Sequence, residues 1–272
     1  MDRPLWISLG GALGFALAAL AAYLRVWHRS VGVGLWLRWA AVVAVLLNGA
    51  YVGYVLHMHG VTETFRHDYE SAVLLATLLG LMGIGAYASA ALRGLDGFLF
   101  LAAALLDFGA LMVIDQSMTV ATYRPWYVSH GLAFAVSAAC FIGSGIAGMV
   151  YLLVHRVLRG KHDLSLVGGV PSLEALERFG RQLLAIGFPL FTYGILTGIC
   201  GVAHRSDIGQ QAWYLDAAVV LSLLVWVVYG LGLSAILFMP RLRGRKAATL
   251  ASCAMFLVVA VLATRDLSFI HR

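Results

Sequence analysis

The chain has 272 residues, of which 61% are hydrophobic and only 12% are charged, and its mean hydropathy is +0.88. Water-soluble domains carry about 25% charged residues, so this composition excludes an ordinary soluble protein. The formal net charge of +6 does not indicate a nucleic-acid partner, because basic residues in a membrane protein first report on which side of the bilayer a loop lies. The three cysteines fall inside apolar runs without a CxxC spacing, which predicts neither a disulfide framework nor a thiol redox site.

Eight apolar runs are each long enough to cross a bilayer, which takes roughly 20 residues. The predicted spans are about 4–26, 35–58, 70–92, 96–117, 127–155, 179–202, 213–239 and 247–267. The runs are continuous rather than alternating, so we predict an all-α polytopic membrane protein with about eight transmembrane helices. The first run is interpreted as a retained span, because it is longer than the apolar region of a signal peptide. We find no internal repeat, and residues 1–272 are predicted to form a single membrane domain.

The distribution of basic residues predicts the orientation. Of the 19 Lys and Arg residues, 13 lie in the connections after spans one, three, five and seven. These connections are therefore predicted to be cytoplasmic, which places both termini on the outer side. The longest of them, 156–178, contains Pro171 and Ser172 before a predicted helix start with Glu174 in its first turn.

The predicted topology separates the nine histidines into two groups. Three lie at cytoplasmic helix ends among arginines, where solvated or headgroup-facing side chains are expected: His28, His155 and His162. The other six lie on the outer side or at outer helix ends: His57, His59, His67, His130, His204 and His271. Outer-side histidines on neighbouring spans are therefore candidates for a shared site.

His130 is the first ligand candidate. It lies just inside span five, one helical turn after Trp126, so that the indole and the imidazole share a face. His271, at the outer end of span eight, is the second candidate. Bis-imidazole ligation of haem iron needs two neutral imidazoles, each with its other nitrogen hydrogen-bonded. The alternative for each histidine is an interfacial residue that only caps a helix or makes a hydrogen bond.

Trp213, Tyr214 and Asp216 lie at the outer mouth of span seven. We interpret this segment as a platform for a flat, partly apolar ligand such as haem. The alternatives are an aromatic belt residue for each ring and helix capping for Asp216, whose charge is stabilised by the helix N-terminus. Asp107 is the acid that lies deepest in a span, and a hydrogen bond to a neighbouring helix is expected, with Asn48 as a possible partner.

Four segments, in chain order, carry a resemblance to a known family. They are 69–71 (Tyr-Glu-Ser), 126–130 (Trp-Tyr-Val-Ser-His), 171–198 (Pro-Ser-Leu through Gly-Phe-Pro-Leu to Gly198) and 213–229 (Trp-Tyr-Leu-Asp through to Ser-Leu-Leu-Val-Trp-Val-Val-Tyr). They resemble, in this order, the YES motif, the WLxxH motif, the segment that leads into the tryptophan-rich (WWD) loop, and the WWD motif itself in the cytochrome c assembly proteins of the CcsA/CcmC type, which handle haem. The resemblance covers about residues 50–272 and is greatest to the eight-span HemX/YpjD-like branch.

The resemblance implies a haem b site with bis-His ligation of the iron. His130 matches an external axial ligand of the family, and His271 occupies a place comparable to the second ligand. Other members carry a histidine where this chain has Ala217, so His204 is an alternative second ligand. The second Trp of the family's WxWD is Leu215 here. The residues expected along the haem edge are Trp126, Trp213 and Asp216.

These features predict a haem-binding integral membrane protein of the c-type cytochrome biogenesis superfamily in the bacterial cytoplasmic (inner) membrane. It would hold haem b near the outer face and hand it to a protein partner, with lipid around its spans. The iron rather than a self-contained catalytic site would supply the redox chemistry. One alternative is a haem-bearing or structural membrane subunit of a respiratory electron-transfer complex, and another is a regulator of haem biosynthesis that acts through loop 156–178. Small-molecule transport is favoured less, because only residues 187–189 resemble a broken helix.

Overall fold

The computed structural model describes residues 5–28, 31–59, 68–111, 125–160, 169–203, 213–239 and 244–264. In these ranges the chain forms eight α-helices and a short 3-10 turn, without β-strands. The helices are α1 (Leu5–His28), α2 (Val31–His59), α3 (Asp68–Ala88), α4 (Asp96–Ala110), α5 (Pro125–Arg159), α6 (Leu173–Ala203), α7 (Ala217–Phe238) and α8 (Arg245–Thr264), and the 3-10 turn is Trp213–Leu215.

The eight helices correspond in order to the eight predicted spans, and the all-α polytopic class is confirmed. Seven described segments are long and apolar enough to cross a membrane: Trp6–Arg25, Trp39–Met58, Tyr69–Ala88, Val128–Arg159, Leu173–Gly201, Ala217–Phe238 and Arg245–Ala263. The remaining helix, α4, is described over 15 residues. Its described part is about 22 Å long, less than the ~30 Å of a bilayer's hydrocarbon core. The outer-side location of both termini stays a prediction.

Helix α6 begins directly after Ser172, at the helix start predicted in connection 156–178. It continues without a break into predicted span six, so the two form one helix. Ser172 caps it, since its Oγ accepts a hydrogen bond of 3.2 Å from the Ala175 N–H. From Leu173 the helix runs unbroken to Ala203, with Pro189 inside it. A neighbouring helix or a local adjustment can satisfy the carbonyl that a proline leaves without an N–H donor in a membrane helix. The broken helix that transport would favour at residues 187–189 is therefore not seen in this described segment.

The contacts divide the chain into two compact units, residues 1–116 with 150–177, and residues 117–149 with 178–272. We refer to them as unit one and unit two. The expectation of a single membrane domain over 1–272 stays a prediction.

In unit one, helices α1 to α4 form a four-helix ring in which α1 contacts α2 and α4, and α3 contacts the same two helices. Small residues let the helices approach, as is usual where lipid provides no hydrophobic driving force. The rings of Phe15 and Phe100 stack with centroids 6.5 Å apart. They fill the space beside two glycines of α3, because a Cβ at Gly80 would overlap the Phe15 ring and a Cβ at Gly83 would lie 2.6 Å from Phe100 Cε1.

A partly buried ion pair joins α1 to the start of α4 in unit one. Arg25 donates two hydrogen bonds from Nη2 to the carboxylate of Asp96, at 2.8 and 2.9 Å. The Gly94 N–H donates to the same carboxylate at 2.6 Å, from a backbone with φ of 108° that favours glycine. The Arg25 guanidinium also lies over the Tyr87 ring, 5.1 Å from its centroid. This network fixes α1 against the start of α4.

In unit two, α5 packs on α6 through a glycine seam. Glycines recur every seven residues on α6, at positions 180, 187, 194 and 201, and so keep one face towards the same neighbour. A Cβ at Gly187 would lie 2.8 Å from Cys140 Cβ, and one at Gly194 would lie 2.6 Å from Phe134 Cδ2. The residue numbers fall on α5 as they rise on α6, so the two helices are antiparallel.

Helices α7 and α8 complete unit two. Phe188 of α6 stacks on Trp226 of α7 at 5.8 Å, and Phe141 of α5 stacks on Tyr229 of α7 at 3.9 Å. On the other side of α5, a Cβ at Gly148 would lie 2.8 Å from Ser252 Oγ of α8. Successive helices alternate in direction, so α5 and α7 are parallel to each other and antiparallel to α6 and α8.

Candidate functional site

His130 lies in the second turn of α5, as predicted, and its side chain is half-buried. Its Nδ1 is 2.8 Å from the backbone carbonyl oxygen of Gly194 on α6. A carbonyl oxygen only accepts, so Nδ1 carries the proton and donates. In a neutral imidazole the lone pair is then on Nε2, the nitrogen through which the ring would bind iron. A metal-binding histidine is usually oriented by a hydrogen bond that its other ring nitrogen donates. In this protein the Gly194 carbonyl of α6 accepts that bond.

Two glycines of α6 form the notch that receives the His130 ring. A Cβ at Gly198 would lie 2.7 Å from His130 Cε1 and 3.1 Å from Nδ1, closer than ordinary carbon contacts of about 3.5 to 4.0 Å. Gly194, one turn earlier, supplies the accepting carbonyl and lies against the ring of Phe134. A side chain at Gly198 would push the imidazole away from α6, and one at Gly194 would push away the Phe134 ring that packs on the imidazole.

A row of aromatic rings supports the imidazole from within unit two. The ring of Phe134 lies 4.7 Å from that of His130, and Phe191 lies 4.9 Å from Phe134. Phe141 continues the row, 5.4 Å from Phe191 and stacked on Tyr229 at 3.9 Å. Phe141, Phe191 and Tyr229 are all buried. Such contacts restrict ring motion, so the position of His130 is determined by the packed interior of the unit.

Asp216 caps α7. Its Oδ1 accepts a hydrogen bond of 2.9 Å from the Ala218 N–H, and its backbone carbonyl accepts the first helical bond from Val220 at 2.9 Å. Its side chain is buried. The capping alternative raised from the sequence is therefore confirmed, while a role of Asp216 along a haem edge stays a prediction.

The turn before this cap presents apolar surface. Tyr214 is 59% exposed and Leu215 is 68% exposed on the 3-10 turn Trp213–Leu215. The turn ends at the buried cap of Asp216, so its backbone is tied to the start of α7 while these two side chains project outward. It therefore offers a fixed apolar surface at a helix mouth.

The helix registers bring His130 and Asp216 to the same end of unit two. The stacked rings of Phe141 and Tyr229 define a common level on the parallel helices α5 and α7. His130 precedes Phe141 by eleven residues, and Asp216 precedes Tyr229 by thirteen. At 1.5 Å per residue these are about 16 Å and about 20 Å, so the two residues lie at levels about 3 to 4 Å apart.

The remaining predicted site residues are described in part or not at all. Trp126 lies in α5 and Trp213 in the 3-10 turn, but their side chains lie outside the described set. His204 and His271 also lie outside the described residues, His204 directly after the last described residue of α6. Within the described ranges, three or more His, Cys, Asp or Glu side chains do not gather into a metal-binding group.

Gly194, Gly198 and Phe134 were not singled out as site residues by sequence reasoning. Gly194 and Gly198 have the GxxxG spacing of close helix packing, and Gly194 belongs to the seven-residue glycine repeat of α6. That repeat could have identified the face of α6 that meets α5. It could not have identified His130 as the residue received there.

The fold and this helix end define a polytopic helical membrane protein with an oriented histidine at the same end of unit two as an exposed apolar turn. The family model described as "Cytochrome C assembly protein" matches residues 6–269, so the chain belongs to that family. Membership supports a role in haem handling during c-type cytochrome biogenesis. The match begins before the region of about 50–272 that the motifs indicated, because the first span is matched without carrying any of those motifs.

A relative supports the branch indicated by the sequence. The "Protein HemX" of Brevibacillus brevis is 31% identical over 106 residues, which is 39% of this chain. The match spans 38% of the HemX chain. It therefore supports common ancestry with HemX over that part of the two chains.

Proposed function

We propose that this protein binds haem b at the outer face of the bacterial cytoplasmic membrane and passes it to a protein partner in c-type cytochrome biogenesis. The observation that carries the proposal is the hydrogen bond that His130 Nδ1 donates to the Gly194 carbonyl at 2.8 Å. This bond directs Nε2 towards the role of an axial ligand. Membership of the cytochrome c assembly family supports haem as the ligand.

The second axial ligand is His271 or His204. Helix α8 is antiparallel to α5, so its described end at Thr264 lies towards the same end of unit two as His130. His271 follows seven residues later, and seven extended residues span up to about 23 Å. His204 follows Ala203, at the end of α6 where Gly198 contacts His130. Chain length permits either residue to serve.

The exposed turn beside His130 would support the apolar edge of the porphyrin. Tyr214 and Leu215 provide apolar surface there, and we assign Trp126, Trp213 and Asp216 to the same edge. Haem iron, when bound, supplies one-electron chemistry, and the protein supplies ligands, orientation and exclusion of water. An edge formed by a short turn rather than by a deep cavity would permit transfer of haem to a partner protein.

A reduced-minus-oxidised absorption spectrum of the purified protein tests this proposal. Wild type is expected to show b-type bands, and His130→Ala is expected to lose most of them. The matched control is His155→Ala, on the same helix, where the imidazole stacks on Tyr151 with ring centroids 6.1 Å apart. His155→Ala should keep the bands. A wild type without b-type bands, or bands unchanged in His130→Ala, would contradict the ligand assignment. The variants His204→Ala and His271→Ala then identify the second ligand.

A second candidate is a haem-bearing or structural membrane subunit of a respiratory electron-transfer complex. The observation that favours it is Leu215 at the position of the second Trp of the family's WWD segment, exposed on the 3-10 turn. A haem that only relays electrons does not need an intact transfer platform. Stable copurification with redox subunits would favour this candidate. Regulation of haem biosynthesis, the third candidate, predicts that a partner binds through loop 156–178 instead.

A further inference from the structure

Among the described residues of unit one, a buried carboxylate has no basic side chain bonded to it. Asp107 of α4 and Asn48 of α2 are both fully buried, and Asn48 Nδ2 donates to Asp107 Oδ2 at 2.7 Å. This is the interhelical hydrogen bond expected from the sequence. The ion pair found in the described part of this unit joins Arg25 to Asp96, eleven residues away on α4 and about 16 Å along its axis. An uncompensated carboxylate in a helix interior is costly and indicates a functional group.

Three oxygen atoms in this region lack a hydrogen-bond partner. They are Asp107 Oδ1, Asn48 Oδ1 and Ser8 Oγ, and all three residues have zero exposure. Buried polar atoms in native proteins nearly always have a partner, which is often a bound water or ion. The Asn48 oxygen and an ionised Asp107 carboxylate oxygen only accept, and the third atom belongs to a hydroxyl. Together they would suit a bound water or ion that attracts oxygen lone pairs.

The helix registers place Ser8 within one helical turn of the level of Asn48 and Asp107. Asn48 Oδ1 lies so close to α1 that a Cβ at Gly11 would overlap it. Ser8 is three residues before Gly11, on the same face of α1. Two contacts define the register of α1 on α4. Ala22 of α1 lies against Gly97 of α4, and Ile7 of α1 packs against the cluster that contains Ala110 of α4. Interpolation along these antiparallel helices puts Ser8 at about the level of residue 109, roughly 3 Å along the axis from Asp107.

Helix α3 contributes a fourth oxygen at this level. Gly80 faces Val45 of α2, and Val73 shares a cluster with Tyr51 of α2, so the residues of α3 between them are level with Asn48. Thr77 lies there and is 8% exposed. Its Oγ1 donates to the Val73 carbonyl at 2.7 Å, and its lone pairs remain capable of accepting. Each of the four helices thus presents one oxygen-bearing side chain at a common level.

We propose that Ser8, Asn48, Thr77 and Asp107 bind a sodium ion in the interior of unit one. Hydroxyl, amide and carboxylate oxygens are the ligands of hard cations. One carboxylate matches one positive charge, whereas a divalent cation would leave a net charge in a low-dielectric interior. Glu70, another described acid of unit one, accepts a hydrogen bond of 3.1 Å from Tyr51, which lies one helical turn from Asn48. The sodium site is separate from the proposed haem site, and neither proposal depends on the other.

Thermal unfolding and radioactive sodium binding of the purified full-length protein test the proposal. At constant ionic strength, replacing choline chloride by NaCl should raise Tm in a saturable manner, by roughly 5 °C at a concentration a hundredfold above Kd. Binding of ²²Na⁺ should saturate at about one ion per chain. Asp107→Asn should abolish both effects, and it can still accept the hydrogen bond from Asn48. Ser8→Ala should weaken sodium binding roughly tenfold.

The matched control is Ser144→Ala, in unit two. Ser144 is also buried with an Oγ that lacks a partner, but it lies beside Gly180, in the other unit. Its replacement should leave sodium binding unchanged. If Tm is the same in sodium and choline, the guest is water or a proton and the proposal is wrong. It is equally wrong if Asp107→Asn still binds ²²Na⁺ with the affinity of wild type.

Discussion

Replacing Gly198 by Ala tests whether the glycine notch of α6 determines the position of the His130 ring. The added Cβ would lie 2.7 Å from Cε1 and 3.1 Å from Nδ1 of the imidazole, so the ring must move away from α6 by about 0.8 Å or more to reach an ordinary contact. The bond from Nδ1 to the Gly194 carbonyl would lengthen from 2.8 Å to about 3.5 Å, beyond the range of an N–H···O hydrogen bond. The substitution therefore removes the contact that orients the ring.

The change in the free energy of unfolding that we expect for Gly198→Ala is the sum of opposing contributions. Loss of the hydrogen bond costs about 0.5 to 1.5 kcal/mol and overpacking costs about 1 to 3 kcal/mol, while the helix propensity of Ala over Gly returns about 1 kcal/mol. We expect Gly198→Ala to lower the free energy of unfolding by about 1 to 3 kcal/mol. We also expect the affinity for haem to fall about tenfold, which corresponds to about 1.4 kcal/mol.

The assay is a haem titration of the purified apoprotein by absorption, with unfolding followed in parallel by circular dichroism in a denaturing detergent. The matched control is Gly53→Ala on α2, where an added Cβ has no neighbour within 4 Å. It should bind haem like wild type and should be as stable as wild type or more stable, by up to about 1 kcal/mol. If Gly198→Ala binds haem as tightly as wild type, the reasoning that ties His130 and its notch to haem is refuted.

Two further predictions concern stability. Asp216→Ala should destabilise α7 by about 0.5 to 2 kcal/mol because the Ala218 N–H loses its cap, whereas Asp216→Asn should retain most of the stability; equal effects of the two variants on unfolding would contradict the capping role. Arg25→Met should destabilise the protein by about 3 to 5 kcal/mol because it leaves the buried Asp96 charge without its cation, and the double variant Arg25→Met with Asp96→Leu should recover much of that loss in the same unfolding assay. A double variant no more stable than Arg25→Met would exclude this explanation.

The helices and the partner of Asp107 could be predicted from the sequence because both follow from the cost of polar groups in lipid. Long apolar runs must form helices that satisfy their own backbone, so the eight helices could be located without any knowledge of packing. The same cost made a hydrogen bond from Asn48 to Asp107 a reasonable expectation, and the structure confirms it at 2.7 Å. His130 was also placed correctly, because its neighbours on one helix determine its position in α5.

Only the tertiary structure showed what surrounds these residues. Gly194 and Gly198 are 64 and 68 residues from His130 in the sequence, and the register of α5 on α6 brings them to its ring. Likewise, the apolar residues of α1 and α4 gave no sign that Ser8 lies within one helical turn of the level of Asp107. A single helix has one periodic pattern, which identifies its buried face but not the residue of another helix that meets it. Interhelical register depends on how the small and large side chains of both helices fit together, and it is therefore decided only when the helices pack.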